Sequence, residues 1–249
     1  MRAIILAAGQ GTRLRPLTDH KPKCLVELAG KPLLEHQLAT LRACGINDIH
    51  IVGGYLADQL RKYDMTLHLN PRYAETNMVN TLFAAEAVMT GVTDLVIAYG
   101  DIVYETRVLR ALLDCDAPIA LAVDREWYRY WSARMDDPIA DAETLTLIDG
   151  NRITELGKKP RSLEDIQGQY TGLIKVRADH VRKIYQVWRS MDKNTLYDGK
   201  DFDNMYMTSF LQYLIDNSWD VHATFTDNGW AEVDCEGDLT VAALFFNAY

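Results

Sequence analysis

Four cations, Arg13, Arg15, Lys21 and Lys23, crowd into the stretch ILAAGQGTRLRPLTDHKPK at residues 5–23 of a chain whose formal net charge is −9. Two glycines, Gly9 and Gly11, stand just after a short apolar run, where a missing side chain lets backbone N–H groups come close to an anion. Arg13 and Lys23 can then meet phosphate oxygens with charge. The chemistry on offer is therefore phosphate binding. Two common phosphate loops are excluded, because Leu14 breaks GxGxxG and the string GxxxxGK[ST] occurs nowhere in the chain. A GxG alone would read as an ordinary glycine turn with solvated arginines; the full string argues against that.

The elements around this loop follow from apolar spacing. Ala3 to Ala8 is a continuous apolar run, as expected of a strand buried on both faces of a parallel sheet. Helical spacing over 32–44 follows, then a strand at 49–54, a helix through 57–63, a short strand at 66–70 and a helix over 77–89. A strand at 94–99, a helix around 108–114 and a strand at 118–123 complete a βαβα rhythm, which implies a parallel sheet with helices on both faces. Beyond residue 124 the rhythm changes. Shorter strands are expected at 144–148, 151–156 and 168–176, helices at about 179–191 and 204–217, strands near 220–225 and 229–234, and a final helix. The expectation is one α/β domain over 1–249, with a nucleotide-binding half at about 1–124 and a smaller mixed acceptor-binding lobe at about 125–249. No linker, low-complexity tract or repeat divides it.

Composition narrows the ligand. With 48% hydrophobic and 24% charged residues the chain can bury a sizeable core, which excludes a disordered or fibrous protein. Acidic residues outnumber basic ones, 35 to 26, so nucleic acid and anionic membrane should be repelled. Cys24, Cys44, Cys115 and Cys235 lie far apart without a CxxC pair, and are read as reduced thiols of a cytoplasmic protein. The opening MRAIILAAG imitates a leader peptide, but its apolar run is cut short, and no run approaches the ~20 apolar residues of a membrane helix.

GQGTRLRPLTDHKPK resembles the GxGTRxxPxTxxxPK signature of nucleotidyltransferases, which join a nucleoside triphosphate to a phosphorylated small molecule. The resemblance implies a Rossmann-like sheet of GT-A type, dependence on Mg2+ and release of pyrophosphate. Asp101 in AYGDIVY and Asp234 in GWAEVDCEGDL, which is similar to the family's WxEIDTPEDL segment, are the metal ligands it implies. Either aspartate alone would read as a helix cap. A hard cation held by few carboxylates and by phosphates suits Mg2+. The catalytic set expected is Arg13, Lys23, Asp101, Asp234 and Lys158. Lys158 in ITELGKKP resembles the lysine of the family's EKP segment, with Lys159 as its rival. Nucleotide binding is expected from Leu6, Ala8, Gly9, Gly11, Thr12, Arg13, Lys23, Asn77, Asn80, Thr81, Tyr99 and Gly100.

The segment PRYAETNMVNTLFAA at 71–85 is similar to that of small cytidylyltransferases, and asparagine offers donor and acceptor to a pyrimidine edge, so CTP is the expected nucleotide. Capping of a helix by Thr76 or Asn77 explains the same residues equally well. Relatives of this length act on phosphocholine, 2-aminoethylphosphonate or L-glutamine phosphate. ETNMVNTL, GDIVY, ITELGKK and NMYMTSFLQ look most like the last group, whose product serves surface polysaccharide modification. In DREWYRYW (124–131), a helix would put Arg125 and Arg129 on one face and Trp127 and Trp131 on one face. Paired arginines favour a carboxylate, whereas aromatics alone would favour a choline cation. An amphipathic helix with packed tryptophans is the plainer reading. Acceptor binding is expected from Arg125, Trp127, Arg129, Glu155, Lys158 and Tyr170, with Asp203 and Asn204 as weaker candidates. The partners expected are small-molecule substrates, neither nucleic acid nor membrane, and a homodimer as the candidate assembly. A GT-A glycosyltransferase, a short sugar-1-phosphate nucleotidylyltransferase and a non-catalytic nucleotide sensor are the rivals.

Overall fold

A computed structural model describes residues 1–246. Strand β1 (Arg2–Ala7) leads into the cationic loop, which carries single 3-10 turns at Thr12–Leu14 and Lys23–Leu25. There follow a minimal hairpin of β2 (Glu27–Leu28) and β3 (Lys31–Pro32), then α1 (Leu33–Ala43), β4 (Asp48–Gly53), β5 (Thr66–Leu69), α2 (Met78–Phe83), β6 (Leu95–Tyr99) and β7 (Ile102–Tyr104). The chain continues through α3 (Thr106–Leu113), β8 (Ile119–Asp124), α4 (Trp127–Arg134), α5 (Pro138–Asp141), β9 (Leu145–Ile148), β10 (Arg152–Leu156) and β11 (Gln169–Val176). It closes with α6 (Ala178–Ser190), α7 (Met207–Asp216), β12 (Val221–Thr226), β13 (Trp230–Glu232) and α8 (Glu236–Phe245).

Nine strands form the main sheet in the order β5-β4-β1-β6-β11-β8-β12-β10-β9. Pairings across β5, β4, β1 and β6, and between β8 and β12, are parallel, while β11 runs antiparallel to both β6 and β8. This is the expected Rossmann-like, mostly parallel core flanked by helices. Strand alternation sends side chains to two cores. Ala3, Ile5 and Ala7 of β1 face α1, α3, α4 and α8, while Ile4 and Leu6 face α2, α6 and α7. The sheet runs across the boundary expected at residue 124, since β11 from the later half lies between β6 and β8 of the earlier one.

Some local expectations are corrected. The segment 57–63 forms only a 3-10 turn at Ala57–Leu60, entered through a left-handed Leu56 (φ 49), because its backbone bonds close over three residues, Gln59 to Leu56 and Arg61 to Asp58, and tighten the chain. The helix over 77–89 stops at Phe83 and resumes as a 3-10 turn at Glu86–Val88. Helix α4 begins at Trp127, because the Asp124 carboxylate accepts the N–H groups of Glu126 and Asn228, both at 2.9 Å, and holds the preceding residues in a turn. Most consequential is β7, a strand that apolar spacing did not reveal.

Candidate active site

After β6 the chain turns through Gly100 and Asp101, and β7 leaves the main sheet to pair antiparallel with β13, Ile102 opposite Glu232. The Val233 N–H donates to the Asp101 carbonyl at 3.0 Å, so this ribbon ends with Asp101 and Asp234 side by side. Gln37, fully buried on α1, fixes the same corner by donating to the Tyr99 carbonyl at 2.9 Å and to the Ile102 carbonyl at 2.8 Å. Between the two carboxylates sits the Lys23 ammonium, 2.6 Å from Asp101 Oδ2 and 2.5 Å from Asp234 Oδ1. Arg13 Nη2 reaches Asp234 Oδ1 at 3.0 Å. Burial by itself would lower the Lys23 pKa, but Asp101 and Asp234 hold the ammonium well above its ordinary value.

Asp234 is itself held from behind. At the start of α8 the Asp238 carboxylate accepts the N–H groups of Asp234 (2.7 Å) and Cys235 (2.9 Å). Arg134, at the end of α4 with its side chain 3% exposed, donates to Asp238 at 3.0 Å, pairs with Glu232 and lies 3.7 Å from Asp234 Oδ2. Burial opposes the Arg134 charge, and the carboxylates around it outweigh that and raise its pKa. For Asp238, burial pushes the carboxyl up, but its hydrogen bonds from Arg134 and the backbone leave it below the usual carboxylate range.

The pair fits a hard dication. Its oxygens already enclose a positive charge, that of Lys23, and no third His, Cys, Asp or Glu joins them into a protein-only cage among the described residues. Mg2+ is bound in this manner, through one or two carboxylates together with phosphate oxygens and water.

Three hollows adjoin one another around Met78, two of them lined by Lys23 and Asp101 of this corner. The central one is lined by Gly9, Gly11, Thr12, Arg13, Lys23, Tyr99, Asp101 and Asp234. Gly11 adopts φ +62, which only glycine takes at little cost, and the Thr18 hydroxyl donates to its carbonyl at 2.8 Å, setting the loop. Gly9 lines this hollow, and a Cβ added to it would meet no protein atom within 4 Å. On one side Leu6, Ala8, Gly9, Tyr73, Asn77, Thr81 and Gly100 line a narrower hollow, with Asp101 at its mouth. Asn77 caps α2 through Met78 N–H at 2.8 Å and also faces this space. Asn80 does not: its amide donates to the Asp203 carbonyl at 3.0 Å. Asp203 in turn pairs with Arg72 at 2.6 Å, and Asn204 is engaged by Asp201.

On the other side lies a hollow lined by Tyr99, Trp131, Asp141, Glu143, Gln169, Tyr170, Tyr206, Thr208 and Glu232. Three acids and no lysine or arginine line it. Gln169, 3% exposed, accepts the Glu143 N–H at 3.0 Å and so fixes that residue. Burial, then the neighbouring Asp141 and Asp198, push the Glu143 carboxyl up to about 7.

Of the residues expected to bind an acceptor, Tyr170 lines this hollow, and the rest are placed elsewhere. Trp127 is 5% exposed and packs in the core; Arg125 pairs with Asp227 at 3.3 Å and lies over Phe225; Arg129 lies over Phe245. The amphipathic-helix reading of 124–131 is the one the packing supports, because two large indoles on one face turn that face inward and the arginines outward. Glu155 and Lys158 form an ion pair at 2.6 Å and line none of the three hollows. Arg134, Glu143 and Gln169 escaped sequence reasoning. Asp238 and Glu232 had a signal, their fixed offsets from Asp234 in WAEVDCEGD.

Comparison with known proteins shows the family. The family described as MobA-like NTP transferase domain matches residues 3–159. The chain is 42% identical over 250 residues to the CTP:phosphoglutamine cytidylyltransferase of Campylobacter jejuni, covering 97% of this chain and 98% of that one. It is 49% identical over 87 residues to a choline-phosphate cytidylyltransferase of Streptococcus pneumoniae, covering 33% of this chain and 38% of the relative. Among solved structures it resembles the inositol-1-phosphate CTP transferase of T. maritima, with TM-score 0.76, 20% identity, and coverage of 99% and 98% of the two chains.

Proposed function

Since the chain belongs to the MobA-like NTP transferase family and is an enzyme of nucleotidyl transfer, we propose that it transfers CMP from CTP to a small phosphorylated metabolite and releases pyrophosphate. The acceptor is L-glutamine phosphate, giving CDP-L-glutamine for surface polysaccharide modification. The observation that carries the reading is the central hollow at Asp101, Lys23 and Asp234, which shares Asp101 and Lys23 with the narrow hollow and Tyr99 and Glu232 with the third. Likeness to the phosphoglutamine enzyme over nearly the full length of both chains supports the choice of nucleotide and acceptor.

The narrow hollow takes the cytosine and ribose, with Asn77 and Thr81 beside the base. Gly9, Gly11 and Thr12 set the loop against the triphosphate. Lys23 exchanges its two carboxylate partners for phosphate oxygens, and Arg13 does the same. Asp101 and Asp234 would hold Mg2+, which supplies charge neutralisation between the two polyanions. An oxygen of the acceptor phosphate forms a bond to the α-phosphorus, and the bond from that phosphorus to the β-phosphate's bridging oxygen breaks. Pyrophosphate leaves with the electron pair. A phosphomonoester is largely dianionic at neutral pH, with a second pKa of about 6, so no side chain need remove a proton. Catalysis then rests on positioning and charge.

Pyrophosphate release with Mg2+ tests the reading, crossing CTP, UTP, dTTP, ATP and GTP against L-glutamine phosphate, phosphocholine, 2-aminoethylphosphonate and glucose 1-phosphate. Turnover confined to CTP with L-glutamine phosphate is expected. Equal turnover with every nucleotide would sink the cytidine assignment, and UTP with glucose 1-phosphate would make the chain a short sugar nucleotidylyltransferase.

A further inference from the structure

The acids of the acceptor hollow, Asp141, Glu143 and Glu232, are of one sign, and among the described residues only Glu232 is ion-paired, with Arg134. Glu143 stands on the turn between α5 and β9, its backbone held by Gln169. The charged groups that act on it are Asp141 from α5 and Asp198 from the segment between α6 and α7, both acids. Tyr99 of β6 and Tyr170 of β11 face it, and Glu232 of β13 lines the same hollow but is already paired with Arg134. Trp131, 4% exposed and part of this lining, has an indole N–H with no partner among the described residues, and the Tyr170 hydroxyl likewise has none. A half-buried carboxylate repelled by its neighbours destabilises the folded protein unless a cation meets it. Orphaned donors beside it have the same meaning for an acceptor group.

We propose that Glu143 holds a cationic nitrogen of the acceptor substrate, so that this site selects phosphorylated amines over phosphorylated sugars or alcohols. The inference rests on the reading of the hollow as the acceptor site. An ammonium between Glu143 and Asp141 satisfies both carboxylates, and the Trp131 N–H and Tyr170 O–H remain to donate to the acceptor's carboxylate or amide oxygen. The hollow adjoins the Asp101–Asp234 corner through Tyr99 and Glu232, so a head group there leaves the acceptor phosphate facing the α-phosphorus.

Binding requires the ionised carboxylate. Because its pKa is raised to about 7, the acceptor's kcat/KM should climb from pH 6 to pH 8 with a midpoint near 7, and that midpoint should vanish in E143Q. The folded protein retains this proton at pH values where the unfolded chain has lost it, so stability falls as pH rises through the window from 4.5 to about 7. E143Q should therefore melt higher than the wild type at pH 8, the gap closing towards pH 5.

The experiment measures pyrophosphate release by wild type and E143Q with CTP and each amine-bearing acceptor, beside the same acceptor with hydrogen replacing the amine. For the amine acceptor KM is expected to rise at least ~10-fold in E143Q, the CTP KM to stay within twofold, and the wild-type preference for the amine over its counterpart to collapse. An unchanged acceptor KM, or equal wild-type use of the counterpart, overturns the inference and leaves cytidylyl transfer standing. No turnover of CTP with any acceptor overturns the proposed function, and this inference with it.

Discussion

The reaction corner and the acceptor hollow are adjoining spaces built on opposite electrostatic plans. At the corner every charge is answered by the protein: Lys23 lies between Asp101 and Asp234, Arg13 touches Asp234, and Arg134 ties Glu232 and Asp238 together behind it. In the hollow, Asp141 and Glu143 face one another's charge, and neither is ion-paired among the described residues. A compensated cluster is preorganised and trades partners when phosphates arrive. An uncompensated one is a site that the ligand itself completes, and it discriminates because a neutral ligand cannot complete it.

The sharpest way to break this contrast is to remove an acid from the corner. Asp101→Asn or Asp234→Asn should lower turnover with Mg2+ by at least ~1,000-fold, while circular dichroism shows the fold retained; activity within tenfold of wild type would remove that aspartate from the metal site. Next comes Arg134→Met, which leaves the carboxylates of Glu232 and Asp238 buried without their cation. A cost of about 3–5 kcal/mol in urea unfolding is expected. At temperatures where the variant is folded, turnover should also fall by roughly 10–100-fold, the size of loss seen when a metal ligand's supporting shell is removed. A loss of stability alone would make Arg134 purely structural. Gly9→Ala has open space around its Cβ and should fold normally, yet raise the CTP KM on the order of 10-fold by filling the room kept for phosphate. The smallest effect is assigned to Arg125→Ala and Arg129→Ala. Both guanidiniums are engaged outside the hollow, so acceptor KM should move less than about twofold, as usual for exposed ion pairs. A larger change would restore the arginine reading of 124–131.

How much of this was legible beforehand depends on how local the determinant is. The β1–loop unit was readable because Ala3 to Ala8 is apolar without interruption, and because Gly9, Gly11 and Thr12 shape the backbone of their own segment. Asn77 was read twice, as a cap and as a base contact, and the structure gives it the cap while leaving it facing the narrow hollow. Asn80, three residues on, looks identical in sequence and is spent on the Asp203 carbonyl of the strap at 201–204, which Asn77 also bonds through its own N–H while its side-chain oxygen caps the helix. The expected pairing of Arg125 with Arg129 on one helix face does not form, because α4 begins only at Trp127, and Trp127 and Trp131 turn into the core.

By itself the sequence determined the kind of sheet, the anion-binding loop and, through a long and specific signature, the family. Each of these is written in contiguous residues, where propensity, spacing and backbone freedom act directly. The tertiary structure alone decided that Asp101 and Asp234 share one cation. The reason is a three-residue ladder between β7 and β13, too short to leave an alternating pattern in either segment. It also decided that Arg134 stands behind Asp234 and that Glu143 faces a hollow without a counterion. Both outcomes depend on which buried neighbours fold around a charge, and burial of one residue by distant ones leaves no mark at the residue itself.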